Sequence, residues 1–127
     1  MSASVVHFEV PYDDAERATS FYRDVFGWNI TPMPEMDYTM VSTGPVSDQG
    51  MPSEPGYIGG GMFKRDGDLD RPIITLNVDS IDAAMKSVKA NGGSAVGEKL
   101  AVGEMGFAAY FKDSEGNLMG LWETAGG

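Results

Sequence analysis

The chain has 127 residues and a hydrophobic fraction of 42%, with nine basic residues against nineteen acidic ones, a formal net charge of −10. That balance would repel a phosphate backbone, and no basic stripe offsets it, so neither nucleic acid nor an anionic membrane surface is expected as a partner. There is no cysteine, which excludes disulfides, thiolate metal sites and a cysteine nucleophile.

The elements are readable in chain order. Val5–Val10 alternates as a strand, with Val6, Phe8 and Val10 on one face and Val5, His7 and Glu9 on the other. Asp13 or Asp14 caps a helix whose apolar stripe is Ala18, Phe21, Tyr22, Val25 and Phe26, and Gly27 stops it. Trp28–Thr31 and Tyr38–Thr43 read as strands around the proline-rich segment TPMPEM. Residues 44–56 form a turn-rich loop, and Tyr57–Phe63 is a further strand interrupted by Gly59, Gly60 and Gly61. The charged segment 64–72 is the natural linker.

The order then repeats. Ile74, Leu76 and Val78 oppose Ile73, Thr75 and Asn77 on a strand, and Ser80 caps a helix striped by Ile81, Ala84, Met85 and Val88. Asn91-Gly92 stops that helix, and Ser94–Glu98, Gly106–Lys112 and Leu118–Glu123 complete the strands. Each half is therefore βαβββ. The expected fold is α+β: one domain over 1–127, built of modules 1–63 and 73–127, forming a curved mixed sheet around a cavity. Each helix should bury its stripe against its own sheet, leaving the faces with His7/Glu9 and Thr75/Asn77 to line that cavity. No apolar run approaches the roughly 20 residues that span a bilayer. MSASVVHFEV also lacks the regions of a signal peptide, so a cytoplasmic location is expected.

The duplicated order, with HFEVPYDDAERATSFYRDVFGW in the first half and FKDSEGNLMGLWE at the end, resembles the vicinal oxygen chelate superfamily. That superfamily holds glyoxalase I, bleomycin-resistance proteins and extradiol dioxygenases. The resemblance spans essentially the whole chain, and FYRDVFGW is typical of a glyoxalase-like subgroup of mostly unassigned activity. It implies paired modules, often with dimerisation or module exchange. It leaves the reaction open, because the fold hosts isomerases, lyases, dioxygenases and non-catalytic drug binders.

Metal-dependent members carry two ligands per module, one on the first strand and one, usually glutamate, on the last. Carried onto this chain, those positions fall on His7, Gly60, Thr75 and Gly120. Glycine has no donor, a lone threonine hydroxyl is a poor ligand, and no second histidine exists. A mixed site would need Glu9 and another carboxylate to move in. Glu123 lies an odd step from Gly120, on the opposite face, and Glu54 is in a loop. No metal is expected from the residues themselves.

His7 and Glu9 sit at i and i+2 on one face, so a carboxylate could raise the imidazole's proton affinity and form an acid/base pair. The plain alternative is a hydrogen-bonded structural histidine. The glycines either mark a bend or leave room for a ligand at Gly60 and Gly120. Trp28, Tyr38, Met40, Met62, Phe107 and Trp122 are candidate cavity walls, each with core packing as the alternative. The expectation is a glyoxalase/bleomycin-resistance-like protein binding a small organic molecule between the modules, without an intact metal centre. His7 and Glu9 would be the candidate catalytic residues. Thr75, Asn77, Tyr38, Gly60, Gly120 and Trp122 would contact the ligand. The rivals are a metal-dependent lyase or isomerase acting next to a carbonyl, with His7 as one ligand, and a metal-free enzyme using His7/Glu9 as base. A homodimer is the expected assembly.

Overall fold

The computed structural model describes residues 2–48 and 52–126. Gln49, Gly50 and Met51, inside the expected loop 44–56, lie outside the described residues, as do Met1 and Gly127. The chain divides into two compact units. One runs His7–Pro72; the other runs from Ile73 onward and includes the residues up to Val6. The Asn77 N–H donates to the Ser4 carbonyl (2.9 Å), which ties that leading segment to the second unit.

In the first unit, β1 (Val5–Tyr12, from His7 on) leads through helix α1 (Ala15–Phe26) to β2 (Asn29–Met33), β3 (Tyr38–Ser42) and β4 (Gly59–Lys64). The strand order is β2-β3-β4-β1, with β1 parallel to β4 and the others antiparallel. The second unit repeats this. β5 (Ile73–Asn77) and helix α2 (Ile81–Ala90) precede β6 (Ser94–Val102), β7 (Gly106–Lys112) and β8 (Leu118–Thr124). Its order is β5-β8-β7-β6, with β5 parallel to β8. Both halves are thus βαβββ, the mixed α+β architecture that the repeat implies.

The helix ends follow from local chemistry. Asp14 accepts from the Arg17 N–H and Gly27 closes α1 in the left-handed conformation at φ 71°. Ser80 accepts from the Ala83 N–H at the start of α2. The first free N–H of α2, on Ile81, donates to the Glu123 carboxylate on β8 (2.7 Å). Glu123 therefore points to the helix side of its sheet, as its odd step from Gly120 predicts.

Each unit has its own core. In the second, Ile81, Ala109, Phe111 and Leu121 are buried, with Leu76, Val78, Ala84, Met85 and Val88 packed on them. In the first, Ile30, Val41 and Met62 are buried under Phe8, Val10, Ala18, Tyr22 and Trp28. The expected α1 stripe is only half used. Ala18 and Tyr22 pack on the sheet, whereas Phe21, Val25 and Phe26 are exposed. The reason lies after Gly27: Trp28 folds back, stacks on Tyr22 (4.6 Å between centroids, planes 8° apart) and meets Phe8. The indole takes the place beside the sheet that the outer positions of the stripe would need.

Two strand boundaries differ from expectation. β6 runs on to Val102 through a register shift between Val96 and Leu100, where Gly97 adopts φ 73° and allows the strand to continue past a bulge. β4 starts at Gly59 rather than Tyr57, because the Tyr57 side chain turns aside to lie on Gly44 and accept from the Ser53 N–H.

Candidate functional site

β1 is in register with β4, pairing His7 with Gly59, Phe8 with Gly60 and Glu9 with Gly61. This register decides which glycine lies on which face. Gly60 shares the helix side with Phe8, whose ring would stand about 2.5 Å from a Cβ placed there. The expectation that Gly60 lies on the His7 face is corrected: Gly59 and Gly61 are there instead. Three consecutive glycines carry no polarity by which a sequence could reveal their parity.

On the His7 face, the missing side chain of Gly61 makes space for Tyr38. A Cβ on Gly61 would fall 1.8 Å from the Tyr38 hydroxyl. Tyr38 is aimed there by the turn before it. Pro34–Met36 form one 3-10 turn, and Asp37 ends it in the left-handed conformation (φ 51°), with its N–H on the Pro34 carbonyl. β3 then starts on Tyr38.

The Tyr38 hydroxyl lies 2.9 Å from His7 Nε2 and donates to Glu9 Oε2 at 2.7 Å. Glu9 is 6% exposed, one of the few buried polar residues of the chain. The expected direct His7–Glu9 pair is therefore a three-residue chain with Tyr38 in the middle. A hydroxyl has one proton, and here it goes to Glu9. Its oxygen then accepts from His7, so the neutral imidazole carries its proton on Nε2 and presents Nδ1 as an acceptor. The electrostatics also differ from expectation. Burial pushes the His7 pKa below its ordinary value instead of raising it, since desolvation penalises the imidazolium.

The second unit brings its expected residues together in adjacent register pairs: Thr75 beside Gly120, and Asn77 beside Trp122. Thr75 is buried, Asn77 is exposed, and the Trp122 indole N–H donates to Thr124 (3.1 Å). The space left by Gly120 is filled, because a Cβ there would lie 2.9 Å from Thr75 Oγ1. The idea that paired glycines leave room for a ligand is thus corrected in both units. Phe8, Tyr38 and Thr75 already occupy those gaps. Three of the six candidate wall residues, Trp28, Met62 and Phe107, belong to the helix-side cores.

The residues at the positions that the resemblance marks as metal ligands do not fit a divalent ion. His7 Nε2 is engaged by Tyr38, its β4 neighbours Gly59 and Gly61 offer no donor, and Thr75–Gly120 offers one hydroxyl. Glu54 sits on an exposed loop. Among the described residues, no three His, Asp or Glu side chains converge. Nor, among them, is any helix long and apolar enough to cross a membrane.

What sequence reasoning missed is the bridging role of Tyr38 and the need for Gly61 beneath it. The available signal was parity: Tyr38 and Met40 alternate with the buried Thr39 and Val41.

Known proteins agree with this architecture. Residues 4–44 match the family described as bleomycin resistance protein-like N-terminal. A glyoxylase-like domain-containing protein of Didymella fabae is 30% identical over an alignment that covers 93% of this chain and 91% of that protein. A hypothetical protein from Bacillus halodurans shares the fold with a TM-score of 0.64 at 14% identity, over 100% of this chain and 98% of the other. So does a Streptomyces coelicolor methylmalonyl-CoA epimerase in complex with 2-nitronate-propionyl-CoA, with a TM-score of 0.64 at 14% identity, over 99% and 97%. The Mycobacterium tuberculosis methylmalonyl-CoA epimerase gives 0.58 at 16% identity, over 98% and 93%. Fold, duplicated order and whole-length similarity converge: the chain belongs to the glyoxalase/bleomycin-resistance-like family of the vicinal oxygen chelate superfamily.

Proposed function

We propose that the protein binds a small, uncharged organic molecule against the sheet face that carries His7, Glu9 and Tyr38, and that it does so without a catalytic metal. The observation that carries this reading is the His7–Tyr38–Glu9 hydrogen-bond chain. It holds one imidazole rotamer and one tautomer, and leaves Nδ1 to accept from a hydroxyl, an amide N–H or an acidic C–H. The buried Glu9 and the net charge of −10 disfavour an anionic ligand. Tyr38 and Met40 provide apolar surface on the same face.

The same chain favours a second reading, a metal-free base. An imidazole held neutral by burial, with its far nitrogen anchored through Tyr38 to Glu9, is arranged to take a proton on Nδ1. The methylmalonyl-CoA epimerases share only the fold at 14–17% identity, so their substrate is not carried over.

A thermal-shift screen on protein purified without a histidine tag tests the proposal, with metal content measured on the same sample. Uncharged hydrogen-bond donors should raise the melting temperature more than carboxylates or phosphates. Tyr38→Phe should weaken the best binder by about 3- to 10-fold, the loss of one hydrogen bond that orients its acceptor. His7→Ala should abolish the shift. Stoichiometric nickel or zinc, lost in His7→Ala, would overturn the metal-free reading in favour of a metal-dependent lyase or isomerase.

A further inference from the structure

β4 opens on three glycines, and packing accounts for two of them. A Cβ on Gly60 would stand 2.5 Å from the Phe8 ring, and one on Gly61 would stand 1.8 Å from the Tyr38 hydroxyl. Gly59 is different. Apart from its chain neighbours, a Cβ there would meet only the Val41 carbonyl oxygen, at 3.4 Å, and among the described residues no side chain within 4 Å. Its backbone is ordinary strand, outside the left-handed region. Neither a turn nor a tight contact therefore asks for glycine, which weakens an inner strand such as β4. Among the described strand glycines only Gly97 is as open, and its φ of 73° serves the β6 bulge.

A polar side chain stands on each flank of the space above Gly59. β1 pairs His7 with Gly59. β3 pairs Met40 with Gly61 and Val41 with Gly60, so the next step of that register sets Ser42 beside Gly59. Strand alternation puts Ser42 on the same face as Tyr38 and Met40. Both flanking groups have their protons engaged. His7 Nε2–H donates to the Tyr38 oxygen, which leaves Nδ1 as an acceptor. The Ser42 hydroxyl donates to the Gly44 carbonyl at 2.6 Å, so its oxygen is also left to accept. Two acceptors thus border one empty position, and each takes an N–H or O–H rather than a carboxylate or phosphate oxygen.

Tyr38 shows what this surface receives. Its phenol tip lies over Gly61, the next glycine on the same face, in the place of a side chain, with its ring plane 21° from that of His7. The geometry points to a planar, uncharged ligand with a hydrogen-bond donor at each end, seated on Gly59 and donating to His7 Nδ1 and Ser42 Oγ. This rests on the binding reading of the His7 face and adds the ligand class. Neighbouring strands lie about 4.8 Å apart, so the two flanks are about 10 Å apart. One ring with a short arm at each end bridges that distance. Gly59 keeps the floor flat, because any side chain there stands where the ring lies.

Calorimetric titration with three probes tests this. They are 1,4-benzenedimethanol, benzyl alcohol, and 1,4-bis(methoxymethyl)benzene, which keeps the frame but has lost both donors. The diol should bind tightest, benzyl alcohol about 3- to 10-fold more weakly, and the bis-ether more weakly again. Ser42→Ala should bring the diol down to the level of benzyl alcohol, and Ser42→Thr, which keeps the oxygen, should restore it. Gly59→Leu should abolish binding with an unchanged far-ultraviolet spectrum. Diol binding that is lost in His7→Ala but indifferent to Ser42→Ala and Gly59→Leu would overturn this inference and leave the reading of the His7 face intact. So would a diol that fails to bind where other uncharged donors bind through His7. No His7-dependent binding by any uncharged donor would overturn both.

Discussion

His7 is held neutral by its surroundings, and that has a consequence for stability. Its pKa is lowered by burial from the ordinary 6.5. On acidification the unfolded chain therefore binds a proton before the folded one does. Stability conferred at neutral pH is constant above the ordinary imidazole range and declines as pH falls through it, down to the lowered folded value. The wild type minus His7→Gln difference in unfolding free energy should be flat above about pH 7 and move against the wild type toward pH 5. A pH-independent difference across that window would show that His7 does not titrate in this way.

At the scale of elements, the strand pairing of β1 with β4 is what makes the site. A β4 strand with side chains at every position could not admit Tyr38 over β1. Gly61→Ala would put a methyl group 1.8 Å from the Tyr38 hydroxyl. The tyrosine tip must move, because the alternative is to shift the β4 backbone. The expected result is an overpacking cost of about 1–3 kcal/mol and loss of the His7 and Glu9 hydrogen bonds. Gly59→Ala is the control, since its Cβ meets only the Val41 carbonyl oxygen at 3.4 Å. Equal destabilisation by the two, with Tyr38 still bonded to Glu9 in Gly61→Ala, would refute the account. The helices illustrate the same dependence on neighbours. α2 buries its stripe on the second sheet, while α1 yields its place over Phe8 to Trp28 and leaves Phe21 and Val25 outside.

At the scale of the whole molecule, charge dominates. Nineteen acidic against nine basic residues repel one another in the compact state. The described side-chain ion pairs, Arg65–Asp13, Arg71–Asp70 and Lys99–Asp82, all involve exposed partners and offset little of that repulsion. The melting temperature should therefore rise as salt increases from about 0.01 M to 0.15 M, over which the screening length falls from about 30 Å to 8 Å. A melting temperature that falls over this range would mean that attractive pairs outweigh the repulsion.

The sequence by itself determined the βαβββ order of both halves, a first helix capped at Asp13 or Asp14, the cap at Ser80, the helix side of Glu123 and the family. Those features rest on periodicities and capping chemistry that act within a few residues of each other, so a linear reading reaches them. It also found His7 and Glu9, two residues apart on one strand. Only the tertiary structure decided that Tyr38, 29 and 31 residues away, stands between them. It likewise decided that Gly61 rather than Gly60 lies beneath that tyrosine, and that the α1 stripe is half exposed. Each of these depends on strand register or on competition for one patch of sheet. Contacts between segments far apart in the chain decide such matters, and no local pattern encodes them.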